Sequence, residues 1–173
     1  MPSLRKDYFG SSLLYTCDHD DNGAMALMIN RPSEIYLSQI LSHLGISIKR
    51  LPIDSPVLAG GPVSPNKAFI LHTEDQLVKN SLRLGDGLAL SCNLEMLTLI
   101  ANGEGPEKFI ITLGYSGWGS GQIENEIKQN SWLTCPADQK VIFDMSFDKR
   151  LIAAAENFGI NNFSLIAREA GYA

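Results

Sequence analysis

The sequence predicts an α+β fold built on a mixed, largely antiparallel sheet with flanking helices. Three observations carry this. Strand-like and helix-like segments are intermixed without strict alternation, unlike a doubly wound parallel sheet. Two turn signals, Asn22-Gly23 and Gly85-Asp86-Gly87, each separate short apolar runs and mark hairpins. A glycine-rich segment, Gly114 to Gln122, joins the strongest strand to a helix.

The elements follow in order. Residues 11–17 and 24–29 read as two antiparallel strands around the turn 18–23. Asn30-Arg31-Pro32 ends that ladder, because proline has no N–H to donate. A helix is predicted over 33–44, with Leu37, Ile40, Leu41 and Leu44 at i, i+3, i+4, i+7 spacing and Gly45 at its end. Residues 46–56 form an irregular connector. A short strand, 57–59, enters Gly60-Gly61-Pro62, and 68–72 is a buried strand. The second hairpin pairs 82–84 with 88–91. A helix spans 93–102, with Leu94, Leu97 and Ile100 inward and Gly103 as its cap. Lys108 to Leu113 is rich in β-branched and aromatic residues and makes the strongest strand. Beyond the glycine-rich turn come a helix over 121–130, a strand over 141–143 and a last helix over 148–158. That last helix turns Leu151, Ile152 and Ala155 inward and ends at Gly159.

A length of 173 residues suits one domain, spanning 1–173. A chain of this size buries roughly 70% of its unfolded surface and needs no staples. The net charge is −5, and no basic run exceeds two residues. Nucleic-acid affinity needs clustered cations, so direct binding to DNA or RNA is not expected. Cys17, Cys92 and Cys135 are odd in number and far apart, which argues for free thiols in a reducing compartment over a disulfide framework or a zinc site. Residues 1–10 lack the apolar stretch of a signal peptide, and no run approaches the ~20 apolar residues of a membrane span. A cytoplasmic location and no membrane partner are therefore expected. No feature of the sequence sets an oligomeric state.

Four glycines in the segment 114–122 allow a tight turn that exposes N–H groups, and a helix N-terminus behind it favours an anion. Yet there is no Gly-Lys-Ser/Thr and no G-x-G-x-x-G, and Glu124 and Glu126 in the first turns of the helix repel a phosphate. The segment is either a tight turn with Trp118 packed on the sheet or a ligand-facing loop. His19 lies among Asp18, Asp20 and Asp21, as a base, a metal ligand or a solvated hairpin tip. His72 ends a buried strand and either faces a cleft or is satisfied by internal hydrogen bonds. His43 falls on the polar side of its helix. Tyr115, Trp118 and Trp132 form an aromatic wall or belong to the core. There is no Gly-x-Ser-x-Gly elbow and no His-Glu-x-x-His, and no cofactor or metal is expected.

Several segments together resemble the YqgE/AlgH family of bacterial proteins. They include Cys17-Asp18-His19 with Asn22-Gly23-Ala24-Met25, Ile29-Asn30-Arg31-Pro32, Gly60-Gly61-Pro62-Val63, Leu71-His72, Leu113-Gly114-Tyr115 with Gly117-Trp118, and Gly121-Gln122-Ile123-Glu124 with Glu126. Asn130 to Leu133 and Pro136-Ala137-Asp138 complete the pattern, which covers nearly the whole chain. The resemblance implies a bifurcated sheet bent into a pseudo-barrel. It implies no reaction; some members are named as regulators of alginate synthesis, a genetic effect that fixes no chemistry. The chain departs from the family pattern at Asp18, Leu151 and the terminal Gly171-Tyr172-Ala173. The resemblance also implies a strand ahead of a Met-Pro like Met1-Pro2; with this sequence starting at that Met-Pro, a truncated or mis-started chain and an exposed sheet edge are the expectation.

Two functions are expected from different classes. One is small-ligand binding or catalysis in a cleft formed by the 60–62 loop, His72 and the 114–122 loop. Its candidate residues are Asn30, Arg31, Gly60, Gly61, His72, Tyr115, Trp118, Gln122 and Glu124. Arg31 would hold a small anionic ligand. The other is a non-catalytic regulatory protein acting through a protein partner.

Overall fold

A computed structural model describes residues 8–160. Eight strands make one sheet: β1 Leu14–Asp20, β2 Gly23–Met28, β3 Pro32–Tyr36, β4 Pro56–Ala59, β5 Val63–Thr73, β6 Leu82–Gly85, β7 Leu88–Ser91 and β8 Phe109–Gly119. Among the described residues four helices flank it: α1 Leu37–His43, α2 Leu94–Asn102, α3 Gln122–Lys128 and α4 Phe147–Asn157. A single π-helical turn, Lys140–Asp144, precedes α4.

The strand order is β1-β2-β8-β5-β7-β6, with β4 pairing β8 and β3 off that path. All pairings are antiparallel except β4 with β8. β8 is the branch point. Its first half pairs β4 through Leu58↔Thr112 and Ala59↔Leu113, and its second half pairs β2 through Ala26↔Ser116 and Ala24↔Trp118. β5 lies along its other side, with Ile70 opposite Ile111 and Val63 opposite Tyr115. The sheet therefore forks and curls into a nearly closed barrel, as the resemblance implies.

The fork depends on glycine. Gly114 sits in the left-handed region at φ 71°, and a Cβ there would lie 2.5 Å from the Gly61 carbonyl oxygen. A Cβ on Gly61 would lie 2.2 Å from the Tyr115 carbonyl carbon. Real side chains cannot occupy such gaps, so the two backbones meet only because neither residue carries one.

Alternation along the strands divides the core between the two faces of the sheet. Leu27, Leu58, Leu71, Leu88, Ile110 and Ile142 fill one side. On the other, Ile70, Val57 and Ile111 meet Leu37 and Leu41 of α1 and Met96, Leu97 and Ile100 of α2. Each such side chain contributes roughly 1.5–3 kcal/mol on burial. Asn93 accepts the Met96 N–H at the start of α2, and Gly103 ends that helix in the left-handed region.

Four local expectations are corrected. The predicted helix over 33–44 divides into β3 and the shorter α1, because Pro32 and Tyr36 pair with Leu58 and Pro56 of β4. Its first residues complete a ladder, and Gln39 then accepts the Tyr36 N–H to start the helix. Leu44 follows as an exposed cap, and Leu94 of α2 is exposed as well. The glycine-rich segment is mostly strand, since β8 runs on to Gly119 against β2. Residues 141–143, expected as a strand, form part of the π-helical turn; Val141 and Ile142 are buried either way, and a short apolar run does not distinguish the two. The departures at 171–173 and the residues before Tyr8 lie outside the described part of the chain.

Candidate functional site

The sheet stops short of closing between its end strands, β1 and β6. A groove of about 480 Å³ lies there. Leu14 and Thr16 of β1 and Leu84 of β6 line it together with Ala24 and Ala26 of β2. Trp118 from β8, Ile123 and Ile127 from α3, the stretch 132–138 and the inner face of α4 complete the walls. The lining is predominantly apolar, with Asp86, Asp138, His19 and Cys135 among its polar members.

One wall is rigidly built. The indole N–H groups of Trp118 and Trp132 donate to the same oxygen of Glu126, at 2.9 and 2.7 Å. Gln122, one turn earlier, donates to the other oxygen at 3.0 Å while accepting the Gly119 N–H. Burial alone would raise the Glu126 pKa; the indole and amide donors outweigh it and hold the carboxyl below its ordinary value. The two indole rings meet edge to face, with centroids 5.8 Å apart. Phe9 packs on both from behind, stacked on Trp118 and edge-on to Trp132. Both tryptophans also border a second, smaller hollow beside Tyr8 and Phe9, so they form a partition between the two spaces.

At the rim, His19 Nε2 lies 2.6 Å from Glu124 Oε1. Turn chemistry delivers each residue. The β1–β2 hairpin is closed by Asp20, which accepts from the Asn22 backbone and side chain and is held below its ordinary pKa by those bonds. Gly121, at φ 69°, starts α3 and aims its first turn at that hairpin. The hydrogen bond from His19 is the largest cause holding the Glu124 carboxyl below its ordinary value. Glu124 Oε2 is covered and takes no hydrogen bond among the described residues. A carboxylate on one imidazole nitrogen leaves Nδ1 to accept a proton or a hydrogen bond when the ring is neutral. Among the described residues no group of three or more His, Cys, Asp or Glu has the geometry of a metal site.

Of the residues singled out from sequence, Trp118 lines this groove, while Gln122 and Glu124 stand behind its walls, bonded to Glu126 and to His19. The others take different places. Gly60 and Gly61 pack backbone to backbone on Gly114 to Ser116, with the Gly60 carbonyl accepting from the Met28 N–H and the Ser116 hydroxyl. That packing fills the space in which the 60–62 and 114–122 segments were expected to form a cleft. His72 is fully buried, its Nδ1–H donating to Thr73 O (2.8 Å) and its Nε2 hydrogen-bonded to Ser91 Oγ (2.9 Å). Burial lowers its pKa. Strand alternation turns it, with Ile70, to the α2 side of the sheet, away from the groove. Tyr115 packs edge-on to Phe69 beside the core. Asn30 is a brace: its Oδ1 accepts the Leu13 N–H and its Nδ2 donates to Ser11 O. Arg31 donates to the carbonyls of Tyr8 and Gly10 and lies over the Tyr8 ring, so its fork is occupied by the chain itself. Glu126 and Phe9 were missed as site residues. The i, i+4 spacing of Gln122 and Glu126 was a usable signal; the approach of Phe9 had none.

Residues 1–162 match the AlgH-like family. A UPF0301 protein of Chromohalobacter salexigens is 43% identical over 174 residues, covering 99% of this chain and 94% of its own. One from Thiobacillus denitrificans is 40% identical, covering 100% and 93%. The solution structure of the AlgH protein from Pseudomonas aeruginosa matches with a TM-score of 0.79 at 41% identity, across 100% of this chain and 92% of that one. A crystal structure of a Corynebacterium diphtheriae protein, at 18% identity and a TM-score of 0.64 over 80% of this chain and 73% of that one, shares the fold alone.

Proposed function

The chain belongs to the AlgH-like family of bacterial proteins, and from that premise we propose that it binds a small ligand in the groove between β1 and β6. The observation that carries this is the tryptophan wall. Trp118 and Trp132 present large apolar faces to a concave space while Glu126 satisfies both indole N–H groups from behind. Such a wall is preorganised, and binding to it costs little side-chain entropy. His19, oriented by Glu124, supplies a directional polar contact at the rim. We place the protein in the cytoplasm, a reading supported by free cysteines at 17, 92 and 135. Among the described residues no helix is long and apolar enough to cross a membrane.

A second reading has one observation in its favour. Leu133 and Phe158, on the groove's rim, are 61% and 50% exposed. A partner protein could seat an apolar side chain between them, as a non-catalytic regulator requires.

Native mass spectrometry of freshly purified protein, with a thermal-shift screen of metabolites, separates the two. A retained or stabilising small molecule whose effect is abolished by Trp118→Ala supports the first reading, since ligand binding raises stability by mass action. Stabilisers that act equally on that variant oppose it.

A further inference from the structure

The charge of the groove narrows what enters it. We infer that the ligand is an organic cation, an amine or guanidine carried on an apolar or aromatic body. This rests on the groove being the binding site, and deepens that proposal by naming the ligand's class.

Every formally ionised side chain lining the groove among the described residues is a carboxylate. Asp86, in the β6–β7 turn, borders it beside Tyr15, whose pKa burial raises to about 12, with Cys17 and Asp86 adding to the shift. The Asp86 carboxylate takes no hydrogen bond among the described residues; only its backbone carbonyl is engaged, by Gln139. Asp138 is engaged at both oxygens, by the Lys140 N–H and by Asn157. His19 carries Glu124 behind it. Among the described residues no Lys or Arg lines the space.

Two nearby arginines among the described residues face elsewhere. Arg31 is held by the Tyr8 and Gly10 carbonyls, and Arg150 is buried against the Ile29 and Met145 carbonyls and the Phe147 ring. Lys128 lies on α3 near Glu124 but does not line the groove. An anion would meet carboxylates with no counter-charge among the described residues, whereas a cation gains from Asp86 and from the indole faces. Tyr15 and His19 are four residues apart on β1, at most about 13 Å at the rise of a strand, and both border the groove. The small anionic ligand expected from Arg31 is thus replaced by its opposite.

Three probes of similar size test the class: 2-phenylethylamine, 2-phenylethanol and 3-phenylpropionate. Binding is followed by calorimetry and by the indole N–H resonances of the two tryptophans, the only two in the chain. The amine is expected to bind at least about tenfold more tightly than the carboxylate. Asp86→Asn is expected to weaken the amine about fivefold and leave the alcohol unchanged, as loss of a rim ion pair should. Tighter binding of the carboxylate or the alcohol, with the indole resonances shifting, overturns the cation assignment and leaves the groove standing. No indole shift with any of the three overturns both. An Asp86→Asn protein that binds the amine as tightly as before also refutes the inference.

Discussion

His19 and Glu124, on opposite sides of the β2–β8 junction and 105 residues apart in sequence, meet at 2.6 Å. The contact ties the tip of one hairpin to the first turn of α3. Neither residue is in the core, so the pair sets orientation at the groove's rim more than stability.

His19→Ala therefore has a specific spectroscopic consequence. The His19 hydrogen bond is the leading cause of the lowered Glu124 pKa. Without it the carboxyl returns upward toward its ordinary range, read from the side-chain carbonyl resonance in an NMR titration. An unchanged Glu124 midpoint would show that the contact is not populated in solution.

Glu126 carries more of the architecture. Replacing it with Ala strands two indole N–H groups, and the expected cost is about 2–3 kcal/mol in urea unfolding. Glu126→Gln keeps an acceptor oxygen for the two indoles but loses the charge and the acceptor for Gln122 Nε2, so about half that loss is expected. Equal losses for the two variants would mean that the acceptor geometry does not matter.

The Gly61–Tyr115 crossing admits no Cβ. Gly61→Ala is expected to cost on the order of 3 kcal/mol or to prevent folding, because 2.2 Å to a backbone carbon cannot be relieved by a side-chain rotation. Gly119→Ala, where a Cβ meets nothing within 4 Å, is the control and should stay within about 0.5 kcal/mol. Similar stabilities for the two would contradict the account of the fork.

His72 gives the fold a pH dependence separate from that of its carboxylates. Burial lowers the His72 pKa below its ordinary 6.5, so the unfolded chain binds more protons than the native one between those two values. Its contribution is complete above about pH 6.5 and is lost as the pH falls through the lower, native value. Glu124 and Glu126 lose theirs only further down, below about pH 4.5, the ordinary carboxyl value. Denaturation curves at pH 7.5, 6.5 and 5.5 should show falling stability, with a smaller slope in His72→Gln. A flat profile across that range would place a proton on the native imidazole without penalty.

Much of the fold was legible because it is written locally. Asn22-Gly23 and Gly85-Asp86-Gly87 announce hairpins by turn chemistry, and Asn93 and Gly103 bracket α2 by capping. The conversion of 32–36 into strand was not legible, because β4, the partner that enforces it, is 20 or more residues away. Gly114 to Gln122 read as a loop for a related reason. Four glycines signal a turn locally, but the ladder from Ala24 to Trp118 carries the strand through most of them. At the site, Trp118, Gln122 and Glu124 emerged from one segment. Sequence alone sets His72, Gly60 and Gly61 beside them because histidine and glycine at strand ends often face ligands. Which face of a strand a residue occupies depends on register, and register put His72 on the other side.

The most direct test of the groove follows the indole N–H cross-peaks of Trp118 and Trp132 while a mixture of small apolar amines is titrated into the protein. Binding in the groove predicts that both cross-peaks move together and saturably, and that Trp118→Ala abolishes the response at Trp132. Saturable binding that moves residues of α1 and α2 while both indoles stay fixed would contradict it.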